Sequence, residues 1–152
     1  MFSILITTSN EPQTLKKLLN QIFSEKFKED FEVLVVAPDN KSKDIALSFP
    51  KVYFWQDKGK GKPAALNLVV PYIKGDILVL TDGDVLPAKG AIQQLVSALR
   101  DNTALGAISG QPVPMNSKDN LFGFFSHFLT FAAHKWRERN MSTGEYLDCS
   151  GY

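Results

Sequence analysis

Gly75-Asp76-Ile77-Leu78-Val79-Leu80-Thr81-Asp82-Gly83-Asp84 is the stretch that decides the fold. A turn pair leads into four apolar, β-prone residues, and the run ends in two carboxylates separated by glycine. A short apolar run bounded by turn signals reads as a strand buried on both faces. Strands of that kind belong to parallel sheets covered by helices. Their carboxyl ends are where such folds gather ligands.

Working towards the N-terminus, Phe2 to Thr8 is a second β-rich apolar run, broken by Ser9-Asn10-Glu11-Pro12. Ser9 or Asn10 can cap a helix, and Pro12 suits a first helical turn. Leu15, Leu18, Leu19, Ile22 and Phe23 follow at helical spacing. Phe31 to Ala37 is another buried strand, ended by Pro38-Asp39-Asn40. A short helix is expected over Lys41 to Phe49 and a strand over Val52 to Trp55. Pro63 starts a helix that Pro71 should kink or end, because it lacks a donor and restricts Val70. Beyond the opening stretch, Lys89 to Leu99 reads as a helix and Leu105 to Ser109 as a fifth strand. Asn120 to Asn140 reads as a helix and Glu145 to Cys149 as a last strand. Alternation of strands and helices implies βαβ units and a mostly parallel sheet.

The 152 residues fit one domain with a sizeable core, taken as spanning residues 1–152. With 44% hydrophobic and 22% charged residues the composition is that of a globular protein. A net charge of +1 gives no reason to expect a nucleic-acid partner. The single cysteine, Cys149, excludes an internal disulfide framework, and a reducing cytoplasm is the expected location. No signal peptide is expected at Met1, and no run reaches the ~18 apolar residues of a spanning helix, Leu121 to Ala133 being the nearest approach.

The strand ends carry the chemistry. Thr8, Ser9, Asn10 and Glu11 close the first strand, Asp39 and Asn40 the second, and Asp82-Gly83-Asp84 the fourth. Two hard oxygen donors spaced by a glycine suit Mg²⁺ or Mn²⁺, with phosphate and water completing the coordination. The competing reading of Asp-Gly-Asp is a polar turn. Asp39 suits either a hydrogen bond to a base or ribose or an Asx-turn closing the strand. Lys58, Lys60 and Lys62 alternate with Gly59 and Gly61 before a helix N-terminus, a setting that holds anions or is simply solvated. His127, His134 and Cys149 read as structural. Five of the eleven phenylalanines lie between Leu121 and Ala133. Core packing is the expected reading there. The alternative is a surface meeting a membrane or another part of the protein, with Lys135, Arg137 and Arg139 behind it.

These residues resemble family 2 glycosyltransferases. Ile4 to Glu11 is similar to the family's opening strand and "NE" pair. Gly61-Lys62-Pro63-Ala64-Ala65-Leu66-Asn67 resembles its "GKxxALN" segment. Gly75 to Asp84 matches its "GDxxxxxDxD" strand, and Leu147 to Tyr152 resembles the run into its acceptor region. The resemblance implies a Rossmann-like GT-A fold and a nucleoside-diphosphate-sugar donor, UDP- or GDP-linked. It places Thr8, Glu11, Asp39 and Lys62 around the nucleoside. It places Asp82 near ribose or phosphate, and Asp84 on a Mg²⁺ or Mn²⁺ ion that neutralises the departing diphosphate. The acceptor would be a saccharide or a lipid-linked molecule; peripheral membrane contact through residues 121–139 is the alternative left by the aromatic stretch itself, not by the resemblance.

Ser9 stands where many family members have an aromatic residue. The family's general base is expected beyond Tyr152, so the chain is expected to bind donor and transfer sugar poorly on its own. One alternative is a non-catalytic nucleotide-sugar-binding module. The other is a sugar-phosphate nucleotidyltransferase, which would need a glycine-rich loop that Ser9 to Pro12 does not supply.

Overall fold

The computed structural model describes residues 1–143, in two compact units, Met1–Ala104 and a second that begins at Leu105. The first unit contains strands β1 (Phe2–Thr7), β2 (Phe31–Ala37), β3 (Val52–Gln56) and β4 (Ile77–Asp82). Between and after them run helices α1 (Pro12–Ser24), α2 (Asn40–Leu47), α3 (Lys62–Val69) and α4 (Ala91–Asp101). The strands form one parallel sheet in the order β3-β2-β1-β4. The sheet matches the expectation of a parallel α/β fold with helices on both faces.

Continuous apolarity in β1 and β2 follows from their place at the sheet centre, where every residue of β1 is buried. Phe2, Ile4 and Ile6 face Leu15, Leu18, Leu19 and Ile22 of α1, together with Ala46, Ile92 and Val96. Leu5, Leu34 and Val36 face Ala65 and Val69 of α3. Each such Leu or Ile contributes ~1.5–3 kcal/mol by leaving water. Pro12 opens α1 as expected, but its N-cap is Glu11 without a side-chain hydrogen bond, not Ser9 or Asn10; Asp39 caps α2 by accepting from the Ser42 N–H, and Gly61 precedes α3 at φ 92°. Pro71 ends α3 as expected, the chain tightening into a 3₁₀ turn over Val70–Tyr72.

Two polar clusters fix the start of β4. Buried Glu32 accepts from the Ser3 hydroxyl at 2.6 Å and the Lys74 N–H at 2.7 Å, and the Ser3 hydroxyl accepts from the Gly75 N–H at 2.8 Å. The backbones are so close that a Cβ on Gly75 would overlap Ser3 and its hydroxyl. Beside this, the Arg100 guanidinium donates to both carboxyl oxygens of Asp76 and of Glu29. Those hydrogen bonds hold Asp76 far below, and Glu29 below, the ordinary carboxylate range. Glycine and aspartate at positions 75 and 76 are therefore structural residues of this sheet.

Several expectations are corrected. β4 is not buried on both faces: Leu78 is 38% and Leu80 45% exposed. They lie in register with Ser3 and Leu5, on the α3 face, but the apolar cluster beneath α3 draws on β1 and β2. No strand forms over 105–109, where Leu105 and Ile108 are exposed and pair with nothing in a sheet. The strand expected at Glu145 to Cys149 lies outside the described residues.

The second unit consists of an irregular segment leading into α5 (Leu121–Thr143). The Asn120 side chain accepts from the Gly123 N–H at 2.7 Å, holding the first turn. His127 meets the Asn116 carbonyl at 2.9 Å, and Gly123 lies against Ser117 where a Cβ would not fit. Core packing of the α5 aromatics is overturned: Phe122, Phe124, Phe125, Phe128 and Phe131 are all exposed, Phe122 to 86%. A periodic count of apolar residues identifies a helix but not which of its faces is covered.

Candidate functional site

The carboxyl ends of the strands surround a cavity of about 360 Å³ in the first unit. Thr7 and Asp82 are direct partners in the β1–β4 register, so their side chains share one face of the sheet. The Thr7 hydroxyl donates to Asp82 Oδ1 at 2.5 Å. Lys62, at the first position of α3, places its ammonium 2.7 Å from Asp82 Oδ1 and 2.8 Å from Oδ2. Asp82 thus reaches both elements that flank it, with both oxygens engaged. Asp84 is exposed on the same cavity and has no hydrogen-bond partner among the described residues.

Gly83 sits between them for a steric reason. Its N–H donates to the Thr7 carbonyl at 2.9 Å, which presses it against Thr8. A Cβ at position 83 would overlap the Thr8 hydroxyl and Cβ. Thr8 Oγ1 is buried and has no hydrogen-bond partner among the described residues. An unsatisfied buried hydroxyl is an uncommon feature that a bound ligand or water can relieve.

Glu11 completes an acidic side of the cavity. Partial burial pushes its carboxyl up, and the neighbouring charges of Asp84 and then Asp82 push it further. Three carboxylates facing one space favour a cation between them and a bound anion. Opposite stand Lys62 and the N-terminus of α3, which has no side-chain cap. Its backbone N–H groups and the Lys62 charge suit a phosphate.

Of the residues expected at the site, Thr8, Glu11, Lys62, Asp82 and Asp84 line this one cavity. Asp39 does not line it. Its carboxylate accepts from the Asn10 N–H at 2.8 Å, the Ser42 N–H at 2.8 Å and the Ser42 hydroxyl at 2.9 Å. Burial alone would raise this carboxyl, but the three hydrogen bonds together outweigh it and hold it below its ordinary value. Asp39 thereby ties the end of β1, where Asn10 takes φ 57°, to the start of α2. Lys58 and Lys60 are exposed and do not line the cavity, whereas Gly59 and Gly61 do.

Two residues at the site went unread in the sequence. Thr7 carries no signal until the β1–β4 register sets it opposite Asp82. Asp57 lines the cavity and accepts from the Gly59 N–H, closing the loop before α3. Asp-x-Gly after a strand is an Asx-turn signal that would have found it.

Among the described residues no cluster of three or more histidine, cysteine or acidic side chains has the geometry to enclose a metal by itself. The donor set fits an open site instead. Asp84 offers hard oxygens without competition, while Asp82 is committed to Lys62 and Thr7.

Comparison with known proteins adds an independent line. The family model described as glycosyl transferase family 2 matches residues 3–146. The chain is 28% identical over 139 residues to a probable glycosyltransferase, YdaM, of Bacillus subtilis, a match covering 84% of this chain and 33% of that protein. Among solved structures it resembles S. aureus TarS, with a TM-score of 0.58 at 20% identity over 78% of this chain and 24% of the other. A structure of S. aureus TarS in complex with UDP-GlcNAc aligns with a TM-score of 0.56 at 21% identity, covering 78% and 38% respectively. The chain spans about a third of the length of the first curated relative it matches.

Proposed function

The chain belongs to glycosyl transferase family 2, and from that premise we propose that residues 1–152 form the nucleotide-sugar-binding part of a transferase. The observation that carries this reading is the convergence of Glu11, Asp82 and Asp84 with Lys62 on one cavity at the carboxyl edge of the sheet. The donor is a UDP- or GDP-sugar. The complex of the fold neighbour TarS with UDP-GlcNAc supports a nucleotide sugar as the class of ligand.

In this reading Lys62 and the open N-terminus of α3 receive the diphosphate. Asp82, held by Thr7 and Lys62, is oriented towards ribose or phosphate. Thr8 supplies a hydroxyl beside the nucleoside, satisfied when donor enters. Glu11 lies at the nucleoside end and Asp39 fixes the loop carrying Asn10 and Glu11. Asp84 would hold Mg²⁺ or Mn²⁺ together with the donor phosphates. The ion would act as a Lewis acid, stabilising negative charge on the departing diphosphate. We assign no general base among the described residues that line the cavity, and sugar transfer by the 152-residue chain alone is expected to be weak or absent. The acceptor is a saccharide or lipid-linked molecule, the location is cytoplasmic, and residues 121–139 make peripheral membrane contact. No helix among the described residues is long and apolar enough to cross a membrane.

Calorimetric titration of UDP and GDP, with and without Mn²⁺, into wild type and Asp84→Ala tests the proposal. Metal-dependent binding of one nucleotide, lost in Asp84→Ala, is expected and names the base. Absence of binding to either nucleotide by a folded sample would sink the donor-site assignment. Robust transfer to an acceptor by this chain would overturn the expectation of weak transfer. Metal-independent binding that survives Asp84→Ala would leave the nucleotide-binding module as the better reading.

A further inference from the structure

β3 is an edge of the sheet, and half of its backbone groups have no strand to meet. β2 lies on one side of it, and no strand pairs on the other among the described residues. The Asp57 N–H donates to the Ala37 carbonyl at 3.2 Å, so Tyr53, Trp55 and Asp57 turn their backbone polar groups towards β2. Val52, Phe54 and Gln56 alternate with them and turn theirs outward. Such a row is a template for another strand. Sheet proteins guard it with proline, charge or a bulge, and Val52–Gln56 has none of these. It carries aromatic residues instead, with Tyr53 48% exposed beside a partly exposed Trp55.

We infer that the β3 edge pairs antiparallel with the β3 edge of a second copy of this chain, about a two-fold axis at Phe54. The sequence around Phe54 is self-complementary, and that selects the occupant. In an isologous contact, positions equidistant from the axis meet. Lys51 and Asp57 stand equally far from Phe54 on either side, so each lysine faces an aspartate of the other copy. Neither is in an ion pair within the chain among the described residues. Tyr53 meets Trp55 in the same way, giving cross-strand aromatic pairs. The backbone agrees with the charges. Phe54 faces Phe54 and Val52 faces Gln56, so every outward residue of β3 is used, each facing pair exchanging both of its hydrogen bonds. Centring the axis on Tyr53 or Trp55 would leave an outward residue beyond the end of the partner strand. β4, the other edge, has no such complement. The charges that flank it, Asp76, Asp82 and Asp84, are all acidic, and Arg100 and Lys62 are already engaged by Asp76 and Asp82. A contact of one short strand is small, so the association depends on concentration.

The inference does not depend on the proposed donor site. Sedimentation velocity of the 152-residue chain over a wide range of concentration should show monomer passing to dimer. Hydrogen exchange read by NMR at both ends of that range identifies the surface. The amides of Val52, Phe54 and Gln56 should slow about tenfold in the dimer, whereas those of Trp55 and Asp57, already bonded to β2, should not change. Lys51→Asp sets like charges opposite each other twice and should weaken the dimer about tenfold. Aspartate tolerates the φ of 73° found at position 51, so this variant should fold. Lys17→Glu makes the same change of charge on exposed α1 surface and should leave the dimer as it is. Gln56→Pro removes an outward donor without touching the ladder to β2 and should weaken the dimer severalfold. Circular dichroism of each variant separates loss of pairing from loss of fold. A chain that stays monomeric would leave the edge to a different strand and overturn the inference. So would a dimer without slowing at the three outward amides, as pairing through α5 would give, a dimer indifferent to Lys51→Asp, or growth beyond the dimer.

Discussion

Asp39, read from sequence as either a base or ribose contact or an Asx-turn, makes the turn and cap bonds in the structure. Its carboxylate is occupied by the Asn10 and Ser42 donors. Asp39→Ala should lower stability by about 0.5–2 kcal/mol, the usual range for a helix cap, measured by urea unfolding at pH 7. Because its folded pKa is depressed, its contribution is complete above the unfolded value of about 3.9 and is lost as pH falls through the folded value. Asp39→Asn should therefore shrink the loss of stability seen on acidification below about pH 4. Asp84→Asn removes a like charge from Glu11 and should lower the Glu11 pKa, read by NMR of its carboxyl carbon. Gly83→Ala should cost about 1–3 kcal/mol through overlap with Thr8. A double-mutant cycle with Thr8→Gly should return a coupling near the whole of that loss, because both clashing atoms are then gone.

At the scale of elements, most of the fold was legible because burial on both faces writes itself as continuous apolarity. β1 and β2 fall where their runs of Ile, Leu and Val place them, and Pro12 and Pro71 mark a start and an end of helix. What the sequence could not supply was partnership. Leu105 to Ser109 has the composition of a strand, yet a strand exists only beside another, and no neighbour's hydrogen bonds are written into its residues. The site was legible to the same degree. Asp82 and Asp84 were found from a strand end, whereas Thr7 needed the register and Asp57 needed the turn. The anchoring of β4 was hidden too, since Ser3, Glu32 and Gly75 are distant in sequence. Glu32→Leu should strip the Ser3 and Lys74 donors of their acceptor and cost about 1–3 kcal/mol, while Glu32→Gln keeps an oxygen there and should cost less. Paired urea unfolding curves of the two variants would separate the loss of an acceptor from the loss of a charge.

At the scale of the molecule the chain divides into a sheet unit and a helical unit, joined through a segment in which nearly every residue from 101 to 120 is exposed. Limited trypsinolysis should cut first after Lys118, and much later after Arg100, whose guanidinium is engaged by Asp76 and Glu29. Mass spectrometry over a time course would show the order; early cleavage inside α1 or α2 would contradict it.

The pairing of Thr7 with Asp82 carries a consequence for anyone preparing the protein. Successive side chains of a strand alternate between faces, so a slip of β4 by a single residue against β1 would turn Asp82 away from Lys62 and bring Thr81 or Gly83 into its place. A misaligned chain would have the right helix content and the right mass and still lack the acidic pocket. If the proposed donor site is correct, ligand uptake is a stricter certificate of correct refolding than spectroscopy. On the proposed donor site, the fraction of a batch that titrates with nucleotide would count the molecules whose strands have found their alignment.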